Sequence, residues 1–207
     1  GSLRNGTLAV EGLRRLPAAR ARNLLRYFLA GQGVAMPATG RLEEALRQVL
    51  TAKQDARVAI ELDGASLRRY EGRIQVVPTL KTPRHYSRPW LGEKQLELSE
   101  LGGKLTFARR TGNGISLARL HGGAVTIRLR RGGERLRPDC RRPTRSLKNL
   151  LQEARMAPWL RERLPLIFHG DTLVWVPGVG IDCAFRAKSG EPALLPGWTP
   201  LGSAGSG

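Results

Sequence analysis

The sequence predicts an α+β protein: a helical domain with a small antiparallel meander, followed by a second α+β domain of mixed short strands and two helices. In the first half, apolar residues recur at helical spacing and then alternate over short runs that end in glycine turns. In the second half, strand-like runs separated by glycine pairs precede and follow two helical runs. The chain of 207 residues is long enough for one or two domains with a buried core.

Two amphipathic helices are predicted first. Residues 17–31 place apolar side chains at positions i, i+3, i+4 and i+7, which puts them on one helical face. Residues 39–52 repeat this pattern behind Pro37, and Thr39 is a candidate N-cap. Both segments therefore predict helices that pack one face against a core.

A meander of short strands follows these helices. Apolar alternation predicts strands at 58–62, 66–71 and 73–78. Asp63-Gly64 and Glu71-Gly72 between them suit tight hairpin turns. The first domain is accordingly placed at residues 1–80. Residues 81–92 contain two prolines and no periodicity, which indicates a linker.

The second domain is placed at residues 93–187. A helix is predicted from about Thr144 to Met156, and Pro158-Trp159 begins a second, short helix in which Trp159 packs. The Gly/Ser/Pro-rich tail, 188–207, is predicted to be disordered. The predicted strands of this domain are 94–101, 104–110, 124–131, 165–169, 172–177 and 181–186.

Charge is the unusual bulk property of the chain. There are 35 Lys and Arg against 17 Asp and Glu, for a net charge of +18. Such a surplus attracts polyanions, so nucleic acid is the first partner to consider. The alternative is an arginine-rich protein whose basic residues are simply solvated.

Cysteine usage and hydropathy indicate a cytoplasmic protein without a membrane anchor. Cys140 and Cys183 have no C-x-x-C partner, so free thiols in a reducing compartment are expected, with neither disulfide nor zinc site. No apolar stretch is long enough to span a membrane, and no signal peptide is evident.

The most basic stretch predicts a polyanion-binding surface. The segment from Arg128 to Lys148 contains eight arginines and one lysine but only two acidic residues. Cations at a helix start are disfavoured by the helix dipole. A phosphate bound there would make their contribution to stability favourable, because it attracts both the cations and the free backbone N–H groups. The alternative is that Asp139 and Glu153 offset these charges on a solvated face. We therefore predict a nucleic-acid-binding set consisting of Arg135, Arg137, Arg141, Arg142, Arg145, Lys148 and Arg155.

A second, weaker candidate lies in the strand run 66–71. Arg68 and Arg69 stand beside Tyr70, and Arg73 follows. Basic residues next to an aromatic ring can hold a nucleic-acid backbone and stack on a base. The same composition is common on an exposed sheet face, so the two interpretations stay equally open.

The sequence offers no catalytic centre. The glycine runs at 111–117 and 177–183 lack the third glycine of a dinucleotide-binding turn, and no phosphate-binding P-loop is present. His85, His121 and His169 are scattered singly, which predicts neither a catalytic base nor a metal site. We assign no catalytic residue, no metal ligand and no cofactor to this chain.

Several longer motifs resemble one enzyme family. The run 132–182, with SLKNLLQE, APWLRERLPLIF and VPGVGID, is similar to the C-terminal domain of bacterial tRNA(Ile)-lysidine synthetases. LPAARARNLLRYFLAGQGVAMP (16–37) and LRRYEGRIQVVP (67–78) resemble the middle, substrate-binding domain of the same enzymes.

The resemblance implies a non-catalytic role. In that family an N-terminal ATPase domain with a Ser-Gly-Gly-x-Asp-Ser loop binds ATP and lysine and modifies the wobble cytidine of the isoleucine tRNA with a CAU anticodon. This sequence has no such loop. It therefore resembles the two C-terminal domains, which hold the tRNA body and acceptor stem. Expected partners are that tRNA and the family's own ATPase domain, and a homodimer is left open.

Two other readings remain at this point. A freestanding basic module that binds ribosomes or DNA would have the same charge and no attached enzyme. An interaction domain whose positive surface meets an acidic protein is a third reading. Steep salt dependence of tRNA binding would favour a nucleic-acid-binding surface, because each neutralised phosphate releases counterions.

Overall fold

The computed structural model describes residues 3–4, 6–52, 58–79, 81 and 83–200. The chain separates into two compact units between Thr79 and Leu80. Each unit combines helices with antiparallel sheet, so the predicted α+β class is confirmed.

The first unit packs helices on one antiparallel sheet with the strand order β1-β2-β5-β4-β3. Its helices are α1 (Val10–Arg14), α2 (Ala18–Gly31) and α3 (Thr39–Thr51). Its strands are β1 (Leu3–Arg4), β2 (Thr7–Ala9), β3 (Ala59–Leu62), β4 (Ala65–Tyr70) and β5 (Arg73–Pro78).

The predicted helical faces form the core of this unit. Ala21, Leu25 and Phe28 of α2 are buried together with Leu42 and Val49 of α3. Both helices are therefore confirmed, but the predicted Thr39 N-cap is wrong. Thr39 is the first helical residue, and the N-cap position is held by Ala38 without a side-chain hydrogen bond.

Both predicted hairpin turns are present in the meander. Gly64 has a φ of 71° between β3 and β4, and Glu71 and Gly72 have φ of 46° and 71° between β4 and β5. In the β4–β5 turn both central residues have positive φ, which matches the twist of the flanking strands. The strand register pairs Arg69 with Ile74 and Tyr70 with Arg73.

The second unit contains two antiparallel sheets and a short ribbon. The strand orders are β15-β14-β13-β10-β6 and β7-β8-β16-β9, and the ribbon is β11-β12. Its helices are α4 (Leu117–Leu120), α5 (Leu147–Glu153) and α6 (Pro158–Arg161). Its strands are β6 (Ser87–Pro89), β7 (Gln95–Leu98), β8 (Gly103–Thr111), β9 (Ile115–Ser116), β10 (Val125–Arg128), β11 (Arg135–Leu136), β12 (Arg145–Ser146), β13 (Leu166–His169), β14 (Thr172–Val176), β15 (Gly180–Ile181) and β16 (Pro192–Pro200).

Strand β13 separates two apolar clusters in this unit. Ile167 belongs to the cluster that also contains Leu105 of β8. Leu166 and Phe168 belong to the cluster formed with Leu147 and Leu151 of α5. Alternation along the strand sends neighbouring side chains to opposite faces. Helix α5, which follows the basic stretch, therefore packs on this sheet.

Part of the predicted linker 81–92 belongs to the second unit. Ser87–Pro89 forms β6, an edge strand that pairs with β10, and Tyr86 and Trp90 pack on the core. The linker prediction is wrong for these residues. A proline is compatible with an edge strand because its missing N–H leaves no ladder bond broken, so Pro89 was misleading.

The predicted disorder of the tail 188–207 is wrong for residues 192–200. These residues form β16, which pairs with β8 over nine residues and buries Ala193 and Leu194. A glycine of the paired strand allows close packing, because a Cβ at Gly103 of β8 would lie 2.4 Å from the Trp198 ring. Residues 201–207 lie outside the described part of the chain.

Two predicted elements near the basic stretch also differ. The helix predicted from Thr144 begins only at Leu147, because Arg145 and Ser146 pair with β11. The strand predicted at 181–186 keeps only Ile181 in β15. A 3-10 turn replaces the rest, since the Asp182 carboxylate accepts a hydrogen bond from the Ala184 N–H at 2.9 Å.

Candidate nucleic-acid interface

The cationic segment, Arg135–Lys148, consists of the β11-β12 ribbon, its connecting turn and the start of α5. Leu136 is fully buried and anchors the ribbon in the core. In the turn, the Asp139 carboxylate accepts a hydrogen bond from the Arg141 N–H at 2.9 Å, and the Asp139 carbonyl accepts one from the Arg142 N–H at 3.1 Å. Backbone geometry therefore defines where the arginines stand.

The backbone of this turn is also attached to the 3-10 turn Cys183–Phe185. The Arg137 N–H donates to the Asp182 carboxylate at 2.8 Å, and the Cys183 N–H donates to the Arg137 carbonyl at 2.9 Å. The Arg186 guanidinium donates to the Pro138 carbonyl at 2.5 Å. Sequence reasoning missed Arg186, which stands alone in the sequence and gains its role only through this proximity.

A disulfide completes the attachment. Cys140 and Cys183 are bonded, with a Cα–Cα distance of 5.5 Å across 43 residues of sequence. The prediction of free thiols is therefore wrong. The two cysteines are distant in sequence, and only the return of the chain through β13, β14 and β15 brings them together. Among the described residues no His, Cys, Asp and Glu cluster could hold a metal ion.

Three of the predicted cations are engaged by the protein itself. Arg145 donates two hydrogen bonds to the Glu153 carboxylate, one of them at 2.6 Å. This contact lowers the pKa of Glu153 and raises the pKa of Arg145. The Arg135 guanidinium donates to the Thr144 carbonyl at 2.9 Å. Arg142 is 3.4 Å from the Asp139 carboxylate with its side chain 70% exposed, a geometry that contributes little free energy.

The sequence predicted Arg145 to be an unpaired cation at the helix start that binds an external anion. In the structure Arg145 is instead paired with Glu153. The helix begins two residues later, where the Ser146 hydroxyl accepts a hydrogen bond from the Asn149 N–H at 3.3 Å. Lys148 is the cation that remains in the first turn. The unfavourable dipole interaction is consequently smaller than the sequence suggested.

Four predicted cations remain open: Arg137, Arg141, Lys148 and Arg155. All four are exposed. Their side chains make no ion pair or hydrogen bond with any other residue that the structure describes. Arg155 has a φ of 49°, in the left-handed region at the end of α5. The structure thus presents open cations on a backbone held by hydrogen bonds and a disulfide.

The second predicted site is not assembled. Arg69 is 3% exposed and donates to the Val49 and Ala52 carbonyls at 3.1 and 2.9 Å, at the end of α3. Burial lowers its pKa, with a smaller effect from Arg14. Arg69 is therefore engaged by the protein itself and presents no open guanidinium to a nucleic acid. Arg68 is half-buried and donates to the Ser66 hydroxyl at 2.9 Å, so it is not an open cation either.

A basic patch on one face of a domain is the electrostatic signature that nucleic-acid-binding domains carry. In the described residues no helix is long and apolar enough to cross a membrane. Two family patterns match the chain, the TilS substrate binding domain at residues 8–75 and the TilS substrate C-terminal domain at residues 125–198.

Similar full-length proteins agree with these matches. The chain is 46% identical over 194 residues to a tRNA(Ile)-lysidine synthase of Nitrosomonas europaea. The aligned region covers 93% of this chain and 42% of that protein. It is 35% identical to that of an Azoarcus species, covering 97% of this chain and 43% of the relative. The chain therefore belongs to the tRNA(Ile)-lysidine synthase family, and it spans less than half the length of these relatives.

A solved structure described as a TILS C-terminal domain is also similar. It shares 22% sequence identity with a TM-score of 0.48, and the match covers 57% of this chain and 98% of the other.

Proposed function

We propose that this chain is the tRNA-binding portion of a tRNA(Ile)-lysidine synthase, and that the cationic segment contacts the tRNA backbone. The observation that carries the proposal is the set of open cations on the second unit, on a backbone fixed by the Cys140–Cys183 disulfide and the Asp182 hydrogen bonds. Membership of the family supports tRNA as the polyanion.

The geometry suits recognition of an A-form duplex. Such helices are bound largely through phosphates and 2′-hydroxyls, because side chains cannot reach into the narrow major groove. Arg137 and Arg141 can each offer two N–H groups to one phosphate, and Lys148 adds a point charge beside the α5 N-terminus. Because the backbone is held in advance, less conformational entropy is lost on binding.

The whole enzyme's chemistry belongs to the same proposal. An N-terminal ATPase domain would bind ATP and lysine and join lysine to the wobble cytidine of the isoleucine tRNA with a CAU anticodon. In this division of work, the chain holds the tRNA body at a distance from the reacting base and supplies no catalytic group. The enzyme would be a cytoplasmic ligase, and a homodimer is compatible with this role.

A titration of the chain with tRNA at several salt concentrations tests the proposal. Each phosphate contact should contribute a slope of about 0.7–0.9 in log affinity against log salt concentration. A slope of about 3, as four open cations would give, with weaker binding to duplex DNA of equal length, is the expected result. Equal affinity for tRNA and DNA would instead favour a general nucleic-acid-binding module, and salt-independent or absent binding would end the proposal.

A further inference from the structure

An open groove in the second unit has no role in the proposed phosphate contacts. Its volume is about 410 Å³, within the range of small-molecule sites. Two indoles (Trp175 and Trp198), two prolines (Pro177 and Pro196) and the glycine-rich backbone 178–180 line it. It lies where the end of β14 meets the second half of β16.

The two indoles are held in place and keep unused donors. Trp175 is 7% exposed and belongs to the apolar cluster around β8. The Trp198 ring lies over Gly103, where a Cβ would come within 2.4 Å of it. Neither indole N–H has a hydrogen-bond partner among the residues that the structure describes. A ligand in the groove therefore meets aromatic surface that packing on the protein holds in place.

The groove is continuous with the cationic segment. A Cβ placed on Gly180 in its wall would lie 3.7 Å from Cβ of Pro138 in that segment. Two residues beyond Gly180, the Asp182 carboxylate accepts the Arg137 N–H at 2.8 Å. The cations that would hold phosphates and the indoles of the groove thus belong to one connected surface.

Two glycines in this wall have backbone conformations that favour glycine. Gly178 and Gly180 have φ of 71° and 129°, which other residues rarely adopt. A Cβ at Gly178 would also lie 3.2 Å from Cε of Met156. A side chain at either position would therefore strain this wall of the groove.

We infer that the groove binds an unpaired nucleotide of the RNA whose duplex backbone the cationic segment contacts. Aromatic rings beside backbone-binding cations are the combination that holds single-stranded nucleic acid, because any base can stack on an indole. A proline-containing peptide also fits aromatic grooves, but the adjacent positive charge and the net charge of +18 favour RNA. The inference rests on the proposed function and extends it to unpaired nucleotides.

A pair of RNA hairpins with identical stems tests the inference on this chain. One hairpin is blunt, and the other carries a four-nucleotide single-stranded extension containing 2-aminopurine. We expect the extension to tighten binding about tenfold, which corresponds to one stacked base. Fluorescence of 2-aminopurine in the extension should fall on binding, whereas 2-aminopurine within the stem should change little.

The variant Trp198→Ala supplies the second arm, with Trp198→Phe as its control. Trp198→Ala should lose the advantage of the extension and bind the blunt hairpin as the parent does, while Trp198→Phe should keep most of the advantage. Equal affinity for both hairpins without quenching would overturn the groove assignment and leave the proposed function intact. Failure of the parent chain to bind either hairpin would instead contradict the proposed function. Binding of a proline-rich peptide that Trp198→Ala abolishes, together with equal affinity for the two hairpins, would assign the groove to a peptide. That result would also overturn the inference.

Discussion

At the scale of single residues, sequence position alone does not separate a binding arginine from a structural one. Arg141 and Arg145 belong to the same basic run, yet Arg141 is open while Arg145 donates to Glu153. Arg69 could not be identified as buried because both faces of β4 carry long side chains. The sequence signal that Arg145 is paired is Glu153, eight residues later. That spacing predicts an ion pair only when the first residue of the helix is known.

Arg155 provides a test of binding against stability. Its φ of 49° lies where glycine is favoured, so Arg155→Gly should be about 1 kcal/mol more stable than Arg155→Ala. Both variants remove the same charge, so both should weaken tRNA binding equally. Denaturant unfolding and tRNA titration of the pair measure the two effects. Equal stability of the two variants would show that the left-handed conformation costs nothing here.

The Arg145–Glu153 pair predicts a pH dependence. Arg145 lowers the pKa of Glu153 mainly through its hydrogen bonds. The stabilisation that follows is present above the ordinary carboxyl pKa and is lost as the pH falls through the lowered pKa of the folded state. NMR titration of the carboxyl groups should give Glu153 a pKa below the usual value for glutamate. The variant Arg145→Ala should raise the pKa of Glu153. An unchanged midpoint in the variant would contradict the pairing.

At the scale of elements, periodicity located the helices and most strands, while their ends depended on tertiary contacts. The apolar stripes of α2 and α3 alone predicted those helices, and the Asp63-Gly64 and Glu71-Gly72 dipeptides located the hairpins. The start of α5 was misplaced because β12 pairs with β11. Strand β16 was missed because its three prolines and one glycine are typical of loops, and only pairing with β8 makes this segment regular.

Burial of Arg69 at the end of α3 predicts a stability effect without a binding effect. Removing its guanidinium leaves the Val49 and Ala52 carbonyls without their donor. We expect Arg69→Met to lower the free energy of unfolding by about 2–3 kcal/mol, measured by urea unfolding. The exposed Arg26→Met is the matched control and should change stability by less than about 0.5 kcal/mol. A tRNA-binding defect in Arg69→Met at full stability would instead show that Arg69 contacts the tRNA.

The disulfide predicts a redox-dependent stability of the second unit. Opening the Cys140–Cys183 loop of 43 residues should cost about 2–4 kcal/mol through the greater freedom of the unfolded chain. Unfolding with and without reductant measures this effect in the parent chain. The double variant Cys140→Ser, Cys183→Ser should be as unstable as the reduced parent and insensitive to reductant. A parent chain that ignores reductant would argue against the bond.

At the scale of the whole molecule, charge and family motifs predicted more than local structure did. The net charge of +18 and the motifs of the second half indicated a tRNA-binding chain before any fold was known. The division of that charge into engaged and open cations was not predictable. It depends on Asp139 within the cationic segment, which pairs with Arg142, and on Glu153, which helix α5 brings to Arg145.

The most direct test of the account is the salt dependence of tRNA affinity in the triple variant Arg137→Ala, Arg141→Ala, Lys148→Ala. Arg109→Ala, Arg110→Ala, Lys188→Ala is the matched control, since it removes the same charge from exposed positions outside the cationic segment. We predict that the first variant loses about 2–3 from the slope of log affinity against log salt concentration, while the control keeps a slope near that of the parent. Equal slopes for the two variants would contradict the claim that the open cations of this segment bind the tRNA backbone.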